Sequence, residues 1–459
     1  MKILWGASWS RLIEALPEER RWLDTYTSCE TGSYRSGQWG QVEDRYRMLD
    51  ILTMRFPTGF VPMLQRAAKR DGHDFEIVNE YEMLARTPPD LTADIAWLRD
   101  YQLAAVQAVA KHGRGLLKMP TASGKTECFV ALTKVIPCEW LFVTHRADLV
   151  DQAAKRYQLR TAERAGKYGG GRWERGTCNV TVSTFQALWR GLKKKEPAAR
   201  QLVQAMEAVC VDEVHAQPAA SFFNCTMALV NATYRVGLSG TPLDRSDQDS
   251  LRTLGSVGPV IYRLQTQELV KRGVLARSDV RMIPCHQKMK GGDWLAVYRA
   301  LIVDSVPRNK LLAQIIHKAA KPCLVFVDQL DHGKNLQREL LGLGIEADFA
   351  SGKDWLAARS RKVAQLVSGD IQSEVLICTV IFQEGIDIPQ LASVVAGGGK
   401  SSVVGTLQRI GRGMRTAEGK LGFEAWDILD RGQTWLAKHS DDRLEAYQKE
   451  GHEVQFGFE

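Results

Sequence analysis

There is no C-x-x-C pair anywhere in this 459-residue sequence, and its nine cysteines are scattered. That speaks against a zinc ribbon and against a disulfide framework, and fits a reduced, intracellular setting. No run of eighteen apolar residues occurs, so no membrane-spanning helix is expected. Met1 to Trp9 lacks a basic start followed by a long apolar core, so no secretory leader is expected either. Internal repeats of solenoid period and low-complexity tracts are missing too, which removes the array architectures.

What remains is the composition of a globular protein, with 44% apolar and 25% charged residues. The length suggests two to four domains with ample core. Net charge is +8, which makes a polyanionic partner plausible without requiring one. The charge is uneven. Lys155 to Arg200 holds twelve Lys/Arg against three Glu, while the first ninety residues hold twelve basic and fourteen acidic side chains. A solvated face is the alternative for such a run, but this local excess of nine exceeds the net charge of the whole chain and favours a polyanion-facing surface.

The organising stretch is Leu116-Leu117-Lys118-Met119-Pro120-Thr121-Ala122-Ser123-Gly124-Lys125-Thr126. An apolar strand leads into a turn, and Gly-Lys-Thr opens a helix. Such a loop presents backbone N–H groups to an anion, with Lys125 as a point charge for phosphates and the Thr126 hydroxyl as a Mg²⁺ ligand. Met119 stands where the usual phosphate-loop pattern has its first Gly. The alternative is an ordinary strand-to-helix turn, and the motifs further along the chain decide between the two.

Residues 1–88 read as a small α+β unit: a strand at Lys2–Trp5, a helix over Trp9–Leu23 interrupted or begun at Pro17, a loop from Gly32 to Gly40, a strand over Arg45–Phe56, a helix at Val61–Arg70 and a strand at His73–Val78. It is a possible DNA-binding module, although its Trp and Tyr residues suit core packing better than base stacking. Strands then alternate with helices at Gly115–Met119, Trp140–Thr144, Val180–Ser183, Ala208–Val211 and Tyr234–Leu238. A second series comes at Cys323–Val327, Glu346–Ala350, Glu374–Thr379, Ser393–Ala396 and Glu424–Leu429, and residues 433–450 read as a closing helix. Alternation of this kind predicts parallel sheets covered by helices on both faces. The expected α/β architecture has a phosphate-loop domain over 89–270 and a second domain over 271–459.

Val209-Cys210-Val211-Asp212-Glu213-Val214-His215 is an apolar strand ending in two carboxylates. Beside a phosphate loop, such an Asp can hold Mg²⁺, and the next Glu can orient or deprotonate an attacking water. A helix N-cap with a solvated neighbour is the bland alternative.

Together these motifs resemble the superfamily 2 helicases and translocases, in order from residue 99 to 415. Arg99-Asp100-Tyr101-Gln102 is similar to the adenine-reading element and Met119–Thr126 to motif I. Val143-Thr144-His145-Arg146 and Val182-Ser183-Thr184-Phe185-Gln186 resemble motifs Ia and Ib. Asp212-Glu213-Val214-His215 looks like a DExH motif II, and Ser239-Gly240-Thr241-Pro242 like motif III. Leu324–Val327, Thr379 with Glu384–Pro389, and Gln408–Arg415 resemble motifs IV, V and VI. The departures are small: Ala122 replaces a frequent Gly, and Gly240 stands where motif III often has Ala.

The resemblance implies two tandem RecA-like domains that hydrolyse ATP with Mg²⁺ between them. Lys125, Asp212, Glu213, Gln408, Arg412 and Arg415 would serve catalysis, with Thr126 and Asp212 holding the metal. Arg99, Gln102, Thr121, Ser123, Gly124, Lys125, Thr126, Gly385 and Asp387 would contact the nucleotide. Arg412 and Arg415, three apart, share a helical face and could act as arginine fingers. Arg146, Thr184 and Thr379 would grip DNA phosphates rather than bases. The Gly169-Gly170-Gly171-Arg172-Trp173 segment is either a DNA-contacting hairpin or a flexible turn. The small N-terminal unit, the Gly169–Trp173 segment, the Gln408–Arg415 form and the tail from Lys438 further resemble phage UvsW-type helicases, which implies remodelling of forked or branched DNA; a cytoplasmic monomer is expected. An RNA helicase or a duplex translocase remains the alternative.

Overall fold

The computed structural model describes residues 1–37, 40–79, 87–90, 92–216, 219–243, 247–289, 291–351, 361–362, 365–366, 374–379, 388, 390–400, 405, 410–411, 413–414, 416, 420 and 422–458. The chain divides into two compact units: residues 1–119 with 124–264, and residues 120–123 with 265–459. Each is described by itself.

The first unit begins with strands β1 (Lys2–Trp5), β2 (Trp9–Glu14), β3 (Ser28–Gly37), β4 (Gly40–Arg47), β5 (Arg55–Pro57) and β6 (Glu76–Asn79), and helices α1 (Pro17–Tyr26) and α2 (Val61–Asp71). Four of these strands form a small sheet in the order β5-β2-β1-β6. The helix expected over 9–23 is therefore a strand and a helix. Ser10 and Leu12 are buried while Arg11 and Ile13 are exposed, so an alternating pattern prevails. Pro17 then opens α1, where its missing N–H costs nothing. Glu19 reaches back to accept from the Leu16 N–H at 2.8 Å, closing the first turn. The Gly/Ser-rich segment expected as a loop is also corrected: β3 and β4 pair antiparallel from Ser28↔Arg47 to Gly37↔Gly40. Main-chain pairing overrides the weak strand propensity of glycine and serine.

A parallel sheet comes next, built from β7 (Arg114–Lys118), β8 (Trp140–Thr144), β9 (Gly166–Gly169), β10 (Arg172–Glu174), β11 (Val180–Thr184), β12 (Ala208–Asp212), β13 (Tyr234–Ser239) and β14 (Val260–Arg263). Its order is β10-β9-β11-β8-β12-β13-β7-β14, with only the β9–β10 pair antiparallel. Helices α3 (Asp100–His112), α4 (Lys125–Val135), α5 (Ala147–Thr161), α6 (Phe185–Lys193), α7 (Pro197–Ala205), α8 (Ala219–Ala228) and α9 (Asp247–Ser256) connect the strands. The central strands are buried along nearly their whole length, as continuous apolar runs in a two-sided sheet must be.

The small N-terminal sheet is not a free appendage of this unit. Leu251, Phe223 and Leu254 of the parallel-sheet part join the apolar cluster around Ile3, Phe56 and Leu64. A Cβ on Gly59 would collide with the carbonyl oxygens of Leu254 and Gly255, so only glycine permits this approach.

In the second unit, β15 (Ser278–His286), β16 (Cys323–Val327), β17 (Asp348–Ala350), β18 (Val375–Thr379), β19 (Ser393–Ala396), β20 (Phe423–Arg431) and β21 (Glu453–Phe456) form one sheet in the order β17-β18-β16-β19-β20-β15-β21. Every described pairing in it is parallel. Its helices are α10 (Thr266–Lys271), α11 (Trp294–Tyr298), α12 (Val306–Lys318), α13 (Leu330–Gly342) and α14 (Thr434–Lys449). Buried ion pairs hold α12 and α14 to β20: Arg308 meets Asp430, and Arg443 meets Asp427 at 2.8 Å. Two RecA-like parallel-sheet domains thus succeed a small α+β element, as the alternation of strands and helices predicts. The strands β15 and β21 have no counterpart among the expected ones.

Candidate active site

The parallel pairing decides which residues can meet. Asp212 pairs with Leu238, Ser239 with Lys118, and Thr184 with Thr144. The carboxyl ends of β7, β13, β12, β8 and β11 therefore form one edge of the sheet, the edge at which open α/β sheets bind ligands.

On that edge Gly124 takes a left-handed conformation, φ 83°, directly before α4. A Cβ there would also meet Gln102 Nε2, the tip of a side chain that can swing aside, so it is the backbone conformation that calls for glycine. Ala122 shares the left-handed region at φ 66°. Within the loop, the Ser123 hydroxyl donates to Pro120 O at 2.7 Å. Lys125 and Thr126 are the first residues of α4, where unpaired N–H groups and the helix dipole favour an anion.

Lys125 is buried, 9% exposed, and its Nζ lies 2.7 Å from Glu213 Oε1. The other oxygen of Glu213 lies 3.3 Å from His215 Nδ1. That ring nitrogen stands 2.6 Å from Ser239 Oγ, which accepts from the Thr241 N–H at 3.0 Å. Glu213 itself holds φ 45°, an uncommon conformation for a side-chain-bearing residue, and one kind of strain that gathers at functional sites. The turn aims the carboxylates of Asp212 and Glu213 differently.

The two acids are driven apart electrostatically. Burial raises the Asp212 carboxyl, and the neighbouring charge of Glu213 raises it further, against opposing pulls from Lys125 and His145. Burial also works against ionised Glu213, but the Lys125 ammonium and then His215 outweigh it, so Glu213 is held below the ordinary range. A hard cation would find oxygen ligands of the right kind in the Thr126 hydroxyl and the Asp212 carboxylate.

The remaining candidates from the sequence fall as described here. Gln102 is buried, and its Oε1 accepts from the Arg99 N–H at 2.9 Å. It caps α3 while its amide nitrogen faces Gly124. The Arg99 side chain is exposed. Thr121 is half-buried and Ser123 buried. Arg146 grips Asp148 with two bonds, at 3.0 and 2.9 Å, so its charge is partly spent within the chain. Thr184 uses its hydroxyl to cap α6, accepting from the Ala187 N–H at 3.1 Å. Thr379 ends β18, paired with Val327. Gly385, Asp387, Gln408, Arg412 and Arg415 lie outside the described residues. The contact between His215 and Ser239 was not anticipated. The fourth letter of Asp212-Glu213-Val214-His215 is the signal that could have found it.

Residues 96–244 match the family described as type III restriction enzyme, res subunit, and residues 307–417 the family described as helicase conserved C-terminal domain. Putative helicase 22 of a Sulfolobus islandicus filamentous virus is 27% identical over 363 residues, covering 72% of this chain and 64% of the relative. The chain thus spans just under two thirds of that relative's length. DNA 3'-5' translocase XPB2 of Sulfurisphaera tokodaii is 25% identical over 377 residues, 74% of this chain and 83% of the relative. Among solved structures, the type ISP restriction-modification enzyme LlaBIII, bound to DNA, matches with a TM-score of 0.58 at 15% identity, over 84% of this chain and 32% of that one. T4 UvsW matches over 99% of this chain and 98% of its own at 20% identity, with a TM-score of 0.45.

Proposed function

We propose that this superfamily 2 chain is an ATP-dependent DNA motor that remodels forks and junctions. The observation that carries the motor reading is the joining of Lys125 to Glu213 at the edge where the phosphate loop and the Asp212 strand end. Support for DNA over RNA comes from the relative named as a DNA translocase. The branched-DNA preference rests on the sequence resemblance to phage UvsW-type helicases.

The chain's own residues divide the work. Lys125 and the first N–H groups of α4 bind the phosphates. Thr126 and Asp212 would hold Mg²⁺, which would supply neutralisation of phosphate charge and polarisation of the bond to be broken. As phosphate oxygens take over the Lys125 ammonium, Glu213 is released from it. Its carboxylate then turns to the attacking water while His215 keeps its second oxygen in place. From the sequence resemblance, Arg412 and Arg415 are the candidates to stabilise charge on the leaving phosphate, and Gln408 is a further catalytic candidate. Gln102 and Arg99 contact the base, Thr121, Ser123 and Gly124 the phosphates, and Gly385 and Asp387 the sugar side. Arg146, Thr184 and Thr379 face the phosphates of the strand being moved.

The test is ATP turnover with forked DNA, single-stranded DNA, duplex DNA and RNA, in the parent protein and in Lys125→Ala. Forked DNA should stimulate most, and Lys125→Ala should be inert. Stimulation by RNA alone would overturn the DNA assignment, and persistent turnover in Lys125→Ala would overturn the site.

A further inference from the structure

The densest run of exposed cations lies away from the ATP residues, at the outer end of the parallel sheet. Lys193, Lys194 and Lys195 close α6 and are all exposed, the last with φ 57°. Beside them the β9–β10 hairpin turns through Gly170 and Gly171, φ 58° and 77°, and pairs Gly169 with Arg172. Two consecutive left-handed residues are what a tight primed turn needs, so this segment is an ordered hairpin and not a loose connection. The two turns are tied together. Glu196 accepts from the Tyr168 hydroxyl at 3.0 Å, and a Cβ on Gly171 would sit 3.2 Å from its carboxylate.

The charge on this rim is poorly compensated. Lys167 is paired with Asp151 at 2.6 Å and Arg175 with Glu139 at 3.7 Å. Among the described residues Arg172, Arg190, Lys193, Lys194 and Lys195 have no carboxylate partner, and all five are exposed. The adjacent acid, Glu196, is half-buried and committed to Tyr168. The aromatic rings nearby are occupied as well. Trp173 donates to Thr181 Oγ1 at 3.0 Å and lies under Arg175, and Lys193 covers Trp189 at 5.0 Å. Open stacking faces, which single-strand binders present to bases, are therefore not what this rim offers. It offers point charges, which suit phosphates. It also stands two strands outward from Thr184, or about 10 Å at the usual strand spacing.

We propose that the rim formed by the β9–β10 turn and Lys193–Lys195 binds the phosphate backbone of a duplex nucleic-acid arm, beside the strand that the motor moves. The proposal rests on the motor reading above and adds to it where a flanking duplex is held. Such an arm stacks its base faces away and lines its exterior with phosphates, the groups that point charges on this rim can meet.

The test is a combined Arg172→Ala, Lys193→Ala, Lys194→Ala and Lys195→Ala variant, all at exposed positions outside the ATP site. Binding of a duplex with a single-stranded tail, and of the tail alone, is titrated between roughly 50 and 200 mM salt. Affinity for the tailed duplex should fall about tenfold or more, and the slope of log affinity against log salt should become shallower by about 2 to 4, close to one for each phosphate that no longer meets a cation. Affinity for the tail alone and unstimulated ATP turnover should stay at parent values. An unchanged slope on the tailed duplex overturns the proposal, and so does an equal loss on both substrates. A parent protein that no nucleic acid stimulates refutes the motor reading, a result separable from the salt slope.

Discussion

Arg235 offers the sharpest test of how the first unit is held together. Its side chain is completely buried, yet its five bonds go to neutral oxygens. It donates to Ala232 O at 2.9 Å, Thr226 O at 2.8 Å, Ser256 O at 3.4 Å, Leu229 O at 2.6 Å and Ser8 Oγ at 2.5 Å. Burial without a carboxylate pulls the guanidinium down to about 9, which still leaves it charged at neutral pH. Arg235→Met keeps much of the volume and removes every donor. Four main-chain oxygens and one hydroxyl then lose this donor, although Thr226 O keeps the Leu229 N–H and Leu229 O keeps the Ala232 N–H and the Ser8 hydroxyl. At about 1 kcal/mol net for each of the better bonds, the cost is about 3–5 kcal/mol, discounted for the removal of a desolvated charge. For a unit of this size each kcal/mol moves the melting temperature by about 2–4 °C, so a drop of roughly 10 °C is expected. Thermal unfolding followed by circular dichroism, with limited proteolysis of residues 1–79, provides the assay. Gly59→Ala, which wedges the same junction, should loosen the N-terminal sheet in the same proteolysis. A shift below about 1 kcal/mol in Arg235→Met, with unchanged cleavage, would refute the idea that this cation joins the two parts.

Three further outcomes are expected at the active site. Asp212→Asn should abolish Mg²⁺-dependent turnover yet raise stability at neutral pH by about 1 kcal/mol, because a carboxyl with a raised folded pKa costs stability while ionised; a chemical-denaturation midpoint at or below that of the parent would contradict this. By the same sign, that cost in the parent is relieved as pH falls through the raised pKa, so in Mg²⁺-free buffer the stability advantage of Asp212→Asn should shrink on acidification. Arg412→Ala should retain nucleotide binding and lose hydrolysis by roughly 10³-fold or more, on the scale of arginine fingers; near-normal turnover removes it from the site. His215→Ala should leave unstimulated turnover within a few-fold of the parent and reduce its stimulation by nucleic acid, as judged by the ratio of the two rates; a preserved ratio would show that the contact with Ser239 carries no coupling.

Much of the architecture was legible in the sequence wherever side-chain pattern and main-chain need agree. The strands at Trp140–Thr144, Cys323–Val327 and Ser393–Ala396 are apolar runs buried on both faces, and they occur where the pattern places them. Gly124 was legible because a phosphate loop needs that backbone conformation whatever surrounds it. The hairpin of β3 and β4 was not, since its stability comes from pairing partners remote from any local preference. Strand β2 was misread because six residues before a proline carry too little periodicity to separate a strand from a helix start. The Arg146–Asp148 pair and the capping role of Thr184 show a further limit. A motif names residue types, while three-dimensional contacts decide how much of each side chain is left for a ligand.

The position of the N-terminal sheet bears on how its removal must be interpreted. Arg114 begins β7 and donates to Ala7 O at 2.6 Å. Arg235 stands one strand over, paired with Arg114, and bonds to Ser8. The same two strands end in Lys118, just before the phosphate loop, and in Ser239, which meets His215. At about 3.3 Å per residue, the attachment lies roughly 13 Å from the ATP edge, at the opposite end of those strands. Residues 1–79 therefore brace the amino-terminal edge of the sheet whose carboxyl-terminal edge carries the proposed nucleotide site. Deleting them would bare Arg235 and the apolar surface of Leu251 and Leu254, and the disturbance would run along β7 and β13 into the loop. Loss of fork binding in such a deletion is consequently no measure of DNA contact by these residues. Exposed-charge substitutions that spare the junction around Ala7, Ser8 and Gly59 separate the two roles, because contact predicts a shallower salt slope at unchanged melting temperature, and bracing predicts the reverse.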